Sequence, residues 1–332
     1  MKIGLIGATG LVGGIMLQVL EEQGYKDCEL LPAASNKSVG KEIIFNKKPY
    51  RLCCVNEVIN SSPDIAIFSA GGSVSLNYAP LFAKKGCFVI DNSSAWRMYE
   101  HIHLVVPEIN ADILKPSDKI IANPNCSTIG LVMALYPLHK AFKIKRVVVS
   151  TYQSVTGSGM KGLNQLMNER KGIKGEMTYP HPIDMNIIPH GGSFDENGYT
   201  TEEIKLKNET CKILNNNNIQ LTSTVVRVPV TGGHSQSVNI EFEQEYELKD
   251  VYKLLNKMPG IVVEDDTNAN IYPMPCNAEG RDEVFVGRIR RDFSQKNALN
   301  MWVVSDNLRK GAATNAIQIA NYIVSKGWIG QV

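Results

Sequence analysis

A glycine-rich segment near the start of the sequence constrains the fold more than any other feature. Gly7-Ala8-Thr9-Gly10-Leu11-Val12-Gly13 follows an apolar run, Lys2–Ile6, and opens an amphipathic segment, Leu11–Gln23. A strand, a glycine turn and a helix in this order form the context of a dinucleotide-binding fingerprint. The three glycines would permit the tight turn, the approach of a pyrophosphate to the backbone, and close packing of helix on strand. We therefore predict phosphates at the helix N-terminus, the alternative being a tight turn without a ligand.

Strand and helix patterns alternate through the first 124 residues. Apolar runs predict four further strands: Cys28–Ala33, Ile65–Ser69, Cys87–Asp91 and Ile120–Ala122. Val74–Lys85 has helical spacing between two of these runs. Such alternation predicts a parallel sheet with right-handed crossover connections.

The pattern changes after about residue 143. Long, β-branched runs predict the strands of a mixed or antiparallel sheet: Arg146–Gln153, Leu221–Val230, Ser237–Glu243, Glu283–Ile289 and Leu299–Ser305. Thr201–Leu214 predicts a helix, and Ala312–Ser325 predicts an amphipathic helix that packs back on the first domain. The predicted fold class is α/β, with an N-terminal Rossmann-type dinucleotide-binding domain, completed by the C-terminal helix, plus a central α+β domain. The expected bounds are 1–124 with 308–332 for the first domain and 125–307 for the second.

Composition limits the classes of partner. The chain has 332 residues, of which 20% are charged, and a formal net charge of +2. This near balance argues against nucleic acid or a membrane surface as a partner, and no apolar run is long enough to span a bilayer. Seven cysteines without a Cys-x-x-Cys pair argue against a disulfide framework or a structural zinc site. Because Met1 leads directly into a strand pattern, we expect a cytoplasmic protein, and we expect no metal.

The segment after the second predicted strand indicates which nucleotide is bound. NAD sites commonly place Asp or Glu there, to bind the ribose 2′-hydroxyl. This sequence has Ser35-Asn36-Lys37-Ser38, which offers two hydroxyls and a cation but no acid. These groups suit the 2′-phosphate of NADP, although Lys lacks the bidentate fork of Arg. We therefore predict NADP as the cofactor, the alternative being a solvated loop with an ordinary lysine.

Cys126 is the candidate nucleophile. It follows a turn pattern, Asn123-Pro124-Asn125, and precedes a predicted helix, Ser127–Leu138. Unpaired N–H groups and the helix dipole favour a thiolate at that position. A thiolate near neutral pH attacks acyl groups, so an acyl-thioester enzyme is one interpretation. A buried structural cysteine is the other.

Other residues could complete such a site. Arg227 and His234 flank a Pro-Gly-Gly loop, which could present a carboxylate-binding guanidinium and a general acid or base on one rim. Gln153 ends a β-rich run ahead of a glycine-rich segment, residues 154–159, that allows close backbone approach to a ligand. Structural roles for Arg227 and His234 are open alternatives.

Three more charged residues are candidates for binding anions or substrate. Arg97 follows the strand that ends at Asp91, and open α/β sheets bind ligands at the carboxyl ends of their strands. Glu202 and Lys205 lie three residues apart on a predicted helix and share a face. An ordinary surface ion pair is the alternative for those two.

Over essentially its whole length the chain resembles the bacterial branch of the aspartate-β-semialdehyde dehydrogenase family. The matching segments are Gly7–Gly13, Ser93–Met98, Pro124–Thr128, Gln153–Gly159, Thr201–Lys205, Arg227–Val230, His234-Ser235 and Asp306–Ala313. Several motifs in the same order and spacing are more specific than any one of them. Lys37 stands where Arg is usual, Leu11 stands where a smaller residue is common, and Ser158 stands where Ala is common.

The resemblance implies a role for each candidate. Cys126 would form an acyl-thioester, with His234 as acid or base and Gln153 orienting the substrate. Arg227 would bind the substrate carboxylate and Glu202 its amino group. The remaining groups are a phosphate-binding pair, Arg97 and Lys205, with the substrate-binding Asn125 beside it, and the NADP contacts Gly7, Thr9, Gly10, Leu11, Val12, Ser35, Lys37, Ser38, Thr156, Gly157 and Asn307.

The resemblance further implies the reaction and the assembly. The enzyme would reduce β-aspartyl phosphate with NADPH to aspartate semialdehyde and inorganic phosphate, on the route to lysine, threonine and methionine. The central domain would be catalytic and would form a homodimer. Related acyl-phosphate reductases, such as N-acetyl-γ-glutamyl-phosphate reductase or a glyceraldehyde-phosphate dehydrogenase relative, are alternatives that the Asn-Cys-Ser-Thr flanks of Cys126 disfavour. A non-catalytic NADP-binding redox sensor is an alternative of another class, and it would not require Arg97, Lys205 and Arg227.

Overall fold

The computed structural model describes residues 1–329, and the chain divides into two units. The first comprises residues 1–124 and the chain from Ala312 onward, and the second comprises Asn125–Gly311. Within the described residues, no helix combines the length and the apolar character that crossing a bilayer requires.

The first unit is a five-stranded parallel sheet with helices. Its elements are β1 (Lys2–Ile6), α1 (Leu11–Glu22), β2 (Glu29–Ala33), β3 (Glu42–Phe45), β4 (Lys48–Arg51), α2 (Val55–Asn60), β5 (Ile65–Phe68), α3 (Gly72–Lys84), β6 (Phe88–Asp91), α4 (Pro107–Asn110) and β7 (Ile120–Ala122). The sheet order is β2-β1-β5-β6-β7, and every neighbouring pair is parallel. All five strands and both long helices were predicted within two residues at either end. The antiparallel hairpin of β3 and β4 and the short helices α2 and α4 were not predicted.

The glycine turn between β1 and α1 leaves no room for side chains. Gly7 has φ of +96°, which residues with a Cβ rarely adopt, and an added Cβ there would lie 2.5 Å from the Ser69 carbonyl oxygen. A Cβ on Gly13 would lie 2.3 Å from the Gly7 carbonyl oxygen. Gly10 is the N-cap of α1 and makes no side-chain capping hydrogen bond. The first turn of α1 therefore presents backbone N–H groups without a side-chain cap, as phosphate-binding turns do.

The C-terminal helix, Thr314–Ser325, belongs to the first unit, as predicted. Its apolar residues join a core that includes Ile3, Leu5 and Met16. The buried Asn315 side chain donates hydrogen bonds to the Val105 carbonyl oxygen at 2.9 Å and to Asn123 Oδ1 at 2.7 Å. Burial of an apolar helix face against the sheet accounts for its position.

The second unit is a mixed six-stranded sheet with helices. Its elements are α5 (Cys126–Phe142), β8 (Ile144–Gln153), α6 (Gly159–Arg170), α7 (Thr201–Ile213), β9 (Gln220–Arg227), β10 (His234–Phe242), α8 (Leu248–Lys257), β11 (Ile261–Val263), α9 (Pro275–Ala278), β12 (Val284–Arg291) and β13 (Ala298–Ser305). The sheet order is β11-β12-β13-β10-β8-β9, with parallel pairing in the two outer pairs and antiparallel pairing elsewhere.

Two strands of this sheet, β9 and β10, differ from the prediction at the ends that face each other along the chain. The predicted strand Leu221–Val230 ends at Arg227, and the strand predicted to begin at Ser237 begins at His234. Arg227 and His234 are therefore the last residue of β9 and the first residue of β10. Strand backbone therefore places both side chains, one on each side of the Pro-Gly-Gly loop that they flank.

Gly13 and Gly14 are adjacent in α1 and give a matched test of the turn. Gly13→Ala should destabilise the protein by about 1–3 kcal/mol, because the new methyl group overlaps the Gly7 carbonyl. Gly14→Ala should stabilise it by about 0.5–1 kcal/mol, since no atom outside the local helix lies within 4 Å of the added Cβ. Urea unfolding of the two variants measures the difference. Equal midpoints would contradict the close packing of this turn.

Candidate active site

Cys126 is the first residue of α5 and is partly exposed. The helix begins one residue earlier than predicted, which places the thiol in the first helical turn. Asn125 is the N-cap, and its Oδ1 accepts a hydrogen bond from the Ser127 N–H at 3.0 Å. The N-terminal end of α5 therefore lies at the thiol, where the helix dipole favours a negative charge.

Asn125 also connects the helix to charged side chains of α7. Its backbone N–H donates to the buried carboxylate of Glu209 at 2.7 Å, and its Nδ2 donates to Glu202 Oε2 at 2.8 Å. Lys205 donates to the other oxygen of Glu202 at 2.6 Å. Burial alone would raise the pKa of Glu202, but the charge of Lys205 and the hydrogen bonds from Lys205 and Asn125 outweigh it and hold the pKa below its usual value. This pair is partly buried, unlike the ordinary surface pair that was the alternative.

Gln153 lies at the end of β8 and contacts the first turn of α5. Its Nε2 donates to Ser127 Oγ at 2.9 Å, and its side chain is almost completely buried. Gln236, on the neighbouring β10, donates to the Ser127 carbonyl oxygen at 2.8 Å. Two amides from adjacent strands thus hold the turn that carries the candidate nucleophile.

The backbone of Ser154 orients both Arg227 and His234. Arg227 Nη1 donates to the Ser154 carbonyl oxygen at 2.8 Å, and the Ser154 N–H donates to His234 Nδ1 at 3.1 Å. A Cβ added to Gly157 would lie 2.8 Å from Arg227 Nη1 and 3.2 Å from His234 Nε2. Arg227 Nε and His234 Nε2 are buried and make no hydrogen bond within the described part of the chain. Two buried polar atoms are therefore available to a ligand beside Gly157.

The ring of His234 is neutral near pH 7. Its side chain is only 1% exposed. Burial, followed by the positive charge of Arg227, lowers the pKa of His234 to about 3. Both effects act in the same direction because each disfavours an imidazolium ion.

Thr156 and Asn307, two of the predicted cofactor contacts, lie together. Asn307 Nδ2 donates to Thr156 Oγ1 at 3.1 Å, and Ser154 Oγ donates to Asn307 Oδ1 at 3.0 Å. Asn307 follows β13, and the preceding Asp306 accepts the backbone N–H groups of Leu308 and Arg309 at 2.7 and 3.1 Å. Thr156 and Asn307 are thus joined by hydrogen bonds next to Gly157 in the chain, and their contact with a cofactor stays a prediction.

The turn after Asn307 approaches Cys126, a contact that the sequence did not indicate. The Gly311 N–H donates to the Asp306 carbonyl oxygen at 2.9 Å, a π-type bond at the start of the π-helical turn Arg309–Ala313. A Cβ on Gly311 would lie 2.9 Å from the Cβ of Cys126. The sequence showed Gly311 only as part of a family motif. Its approach to Cys126, like the approach of Glu209 to Asn125, depends on contacts across the fold.

The remaining predicted residues lie in the first unit. Arg97 is buried, and its guanidinium donates to the carbonyl oxygens of Asn123 and Asn92, both at 2.9 Å. Ser35 and Lys37 are exposed in the turn after β2, and Ser38 is partly buried there. The other predicted cofactor residues of this unit lie in the glycine turn: Gly7, Thr9, Gly10, Leu11 and Val12.

The second unit contains most of the predicted site residues, and several of them are linked by hydrogen bonds to one another or to Ser127 and Ser154. Its predicted residues are Asn125, Cys126, Gln153, Thr156, Gly157, Glu202, Lys205, Arg227, His234 and Asn307. Within the described residues no group of three His, Cys, Asp or Glu side chains could hold a metal ion. The arrangement is suited to nucleophilic catalysis on an anionic substrate.

Family models and individual relatives match the chain over nearly its full length. The description "Semialdehyde dehydrogenase, NAD binding domain" matches residues 2–117, and "Semialdehyde dehydrogenase, dimerisation domain" matches residues 135–310. The aspartate-semialdehyde dehydrogenase of Aquifex aeolicus is 49% identical over 99% of both chains, and that of Bacillus subtilis is 42% identical over 96% of both. This chain belongs to the aspartate-semialdehyde dehydrogenase family.

Solved structures of the family have the same fold. Aspartate semialdehyde dehydrogenase II from Vibrio cholerae is 42% identical, covers 98% of both chains, and superimposes with a TM-score of 0.93. A second structure of the Vibrio cholerae enzyme, in complex with ASA, has a TM-score of 0.92. The Candida albicans enzyme with NADP, at 24% identity and a TM-score of 0.77, shares the fold. The predicted family and fold class are confirmed.

Proposed function

We propose that this protein is a phosphorylating, NADP-dependent aspartate-semialdehyde dehydrogenase that acts through an acyl-thioester on Cys126. The observation that carries the proposal is the position of this thiol at the N-terminus of α5, in a turn that Gln153 and Asn125 hold. The names of the relatives and the ASA complex of the Vibrio cholerae enzyme support the substrate. They favour aspartate semialdehyde over the substrates of other acyl-phosphate reductases and over a redox sensor.

The charges of the second unit match the substrate. Arg227 would pair with the α-carboxylate through the part of its guanidinium that Ser154 does not use. Glu202, kept ionised by its neighbours, would attract the amino group. Lys205, whose ammonium lies 2.6 Å from Glu202, would attract phosphate. The phosphate role of Arg97, and the cofactor contacts of Thr156, Gly157 and Asn307, remain predictions.

In the biosynthetic direction, the Cys126 thiolate would attack the acyl carbon of β-aspartyl phosphate. The carbon–sulfur bond forms, the carbon–oxygen bond to phosphate breaks, and inorganic phosphate leaves, which gives the thioester. When bound, NADPH would supply the hydride that reduces the thioester. Cleavage of the carbon–sulfur bond then releases aspartate semialdehyde and returns the thiolate. Gln153 would orient the acyl group, since its amide already contacts the turn of the nucleophile.

The first unit would hold the nucleotide. The N-terminus of α1 lacks a side-chain cap, and the glycines of its turn leave the backbone accessible, so both features fit a pyrophosphate. Lys37 is exposed after β2 and would bind the 2′-phosphate of NADP. We infer NADP rather than NAD because this turn contains no acidic residue.

The second unit would also form a homodimer, consistent with the name of its family model. α5, α7 and α8 pack on one face of its sheet. The opposite face carries a tilted pair of rings, Tyr152 and Trp302, with centroids 5.4 Å apart, beside the exposed Ser237 of β10. Apolar side chains on a broad sheet face suit a permanent interface.

Purified protein should reduce NADP when given aspartate semialdehyde and inorganic phosphate, and should do so poorly without phosphate. Cys126→Ala should abolish turnover in both directions while NADP still binds, because the glycine turn is a separate element. Lys205→Met should raise the KM for phosphate. Absorbance of NADPH measures each rate.

Peptide mapping of enzyme inactivated by iodoacetamide, with and without substrate, should identify Cys126 as the protected thiol. A different substrate-protected thiol would refute the mechanism.

Lys37→Ala should weaken NADP binding roughly ten- to hundredfold, since a charge-assisted contact is worth about 1.5–3 kcal/mol. NAD binding should hardly change, because NAD has no 2′-phosphate. Lys41→Ala is the matched control, as it removes an exposed lysine four residues away. Fluorescence titration with both nucleotides gives the dissociation constants. An equal loss of NADP and NAD affinity would count against the assignment.

Ser237→Arg should convert the homodimer to a monomer, because it places a charged side chain in the middle of the proposed interface. Asn256→Arg is the control, since Asn256 is exposed on α8 at the helix-covered face. Sedimentation equilibrium distinguishes the two states. A wild-type monomer, or a dimer that Ser237→Arg leaves intact, would exclude this face.

A further inference from the structure

Tyr179 packs against the guanidinium of Arg227, from the segment between α6 and α7, residues 171–200. The Cζ atom of Arg227 lies over the Tyr179 ring, 5.8 Å from its centroid. The tyrosine is 7% exposed and the arginine 6%, so water has little access to the contact. A desolvated cation is attracted to an aromatic face more strongly than an exposed one. The ring therefore holds one face of the guanidinium.

The Tyr179 ring is itself held by α6 and by the glycine-rich segment before it. The Tyr179 backbone N–H donates to Oε1 of the buried Gln165 at 2.8 Å. Its hydroxyl donates to Ser158 Oγ at 3.0 Å and lies 3.3 Å from the Val155 carbonyl oxygen. A Cβ on Gly162 would lie 2.7 Å from the same hydroxyl, so α6 packs directly on the ring. The alanine that is common at position 158 could not make the hydrogen bond to Tyr179.

The other contacts of Arg227 hold its backbone and one end of its guanidinium. Its N–H donates to the Ile188 carbonyl oxygen at 2.8 Å, and the Ile188 N–H donates back at 3.0 Å. Nη1 donates to the Ser154 carbonyl oxygen, whereas Nε is buried and has no hydrogen-bond partner within residues 1–329. A carboxylate bound in a bidentate manner through Nε would use the edge formed by Nε and Nη2. The Ser154 carbonyl and the Tyr179 ring together fix the direction of that edge.

We propose that Tyr179 is a positioning residue that sets the plane of the Arg227 guanidinium, and with it the place where the substrate carboxylate binds. The proposal rests on the proposed function, in which Arg227 binds that carboxylate. The two hydrogen bonds of a bidentate pair require a matched geometry of the planar groups, so rotation of the guanidinium would lose one of them. The ring restricts this rotation by packing against one face, and Ser158 fixes the ring.

The expected kinetic effect follows from this role. The carboxylate takes no part in bond making or breaking, so Arg227 would bind it equally in the ground state and the transition state. Loss of such uniform binding raises KM and leaves kcat nearly unchanged. The KM for phosphate should not change, since phosphate would bind to other side chains. A merely structural role of Tyr179 would instead reduce the folded fraction, and so the apparent kcat, without a selective change in one KM.

The test measures the oxidation of aspartate semialdehyde by Tyr179→Leu and Tyr179→Phe. Tyr179→Leu removes the ring and should raise the KM for aspartate semialdehyde about five- to thirtyfold, with the KM for phosphate within about twofold of wild type. Tyr179→Phe keeps the ring and should raise the first KM only about two- to fivefold. Tyr199→Leu is the matched control, because Tyr199 lies in the same segment and is 42% exposed. It should leave both KM values unchanged.

Ser158→Ala tests the hydroxyl contact separately. It should raise the KM for aspartate semialdehyde by the same factor as Tyr179→Phe, since either change removes the hydrogen bond between the two side chains. The double variant should then be no worse than either single variant, because residues in contact are not additive. Additive effects would show that the two hydroxyls act independently, which contradicts the role given to Ser158.

The opposite results overturn the proposal. An unchanged KM for aspartate semialdehyde in Tyr179→Leu, equal increases in both KM values, or a fall in kcat alone would each refute a positioning role. If circular dichroism shows that Tyr179→Leu is unfolded, the comparison of Tyr179→Phe with Ser158→Ala decides, because both variants keep the ring.

A crystal structure of Tyr179→Leu without substrate gives a measurement that does not require activity. The Arg227 guanidinium should leave its wild-type plane, and an unmoved guanidinium would refute the role of the ring. Failure of wild type to oxidise aspartate semialdehyde would refute the proposed function, and the crystallographic result would still decide whether Tyr179 positions Arg227.

Discussion

The hydrogen bonds of Asn125 are the constraint on which the arrangement of the active site depends. Its side-chain oxygen caps α5, its side-chain nitrogen donates to Glu202, and its backbone nitrogen donates to Glu209. One residue thereby sets the start of the helix that carries Cys126 and couples it to α7. The same α7 turn carries Lys205, so a shift at Asn125 would move the nucleophile and the charged groups together.

Backbone groups contact two other catalytic candidates, Arg227 and His234. Ser154 uses its carbonyl oxygen for Arg227 and its N–H for His234, and both are buried main-chain contacts. Gly157 and Gly311 approach these residues and Cys126 so closely that a Cβ would collide. Glycine at these two positions leaves the volume that a larger side chain would fill. The polar side chains beside it extend from the ends of strands β8, β9 and β10.

Much of the fold followed from sequence periodicity. The parallel strands of the first unit and the long strands of the second are buried, β-branched runs, whose pattern depends little on distant contacts. The hairpin of β3 and β4 was not predicted. Its second strand, Lys48–Arg51, is mostly polar and exposed, so it lacks the apolar pattern of a buried strand. α8 was not predicted either, although the spacing of its apolar residues is strongly amphipathic. The division of the chain into functional domains at the expected bounds stays a prediction.

The candidate site likewise contains residues that local sequence predicts and residues that it does not predict. Cys126 could be found from local sequence, because a turn before a helix is enough to predict the environment of its thiol. Glu209 and Gly311 could not, because the first is separated from Asn125 by 84 positions and the second reaches Cys126 through a π-helical turn. His234 was found, but its protonation was not. Its neutral state depends on burial and on the charge of Arg227 from another strand, and no pattern of residue types records either.

The electrostatics of the second unit favour a neutral histidine. Lys205 and Arg227 are cations, Glu202 is held ionised, and a Cys126 thiolate would balance the remaining positive charge. An imidazolium would add a third cation in a buried space, where desolvation is not repaid by any partner on Nε2 among the described residues. The positive charge where β9 ends and β10 begins therefore lies on Arg227, and the buried His234 beside it is uncharged near pH 7.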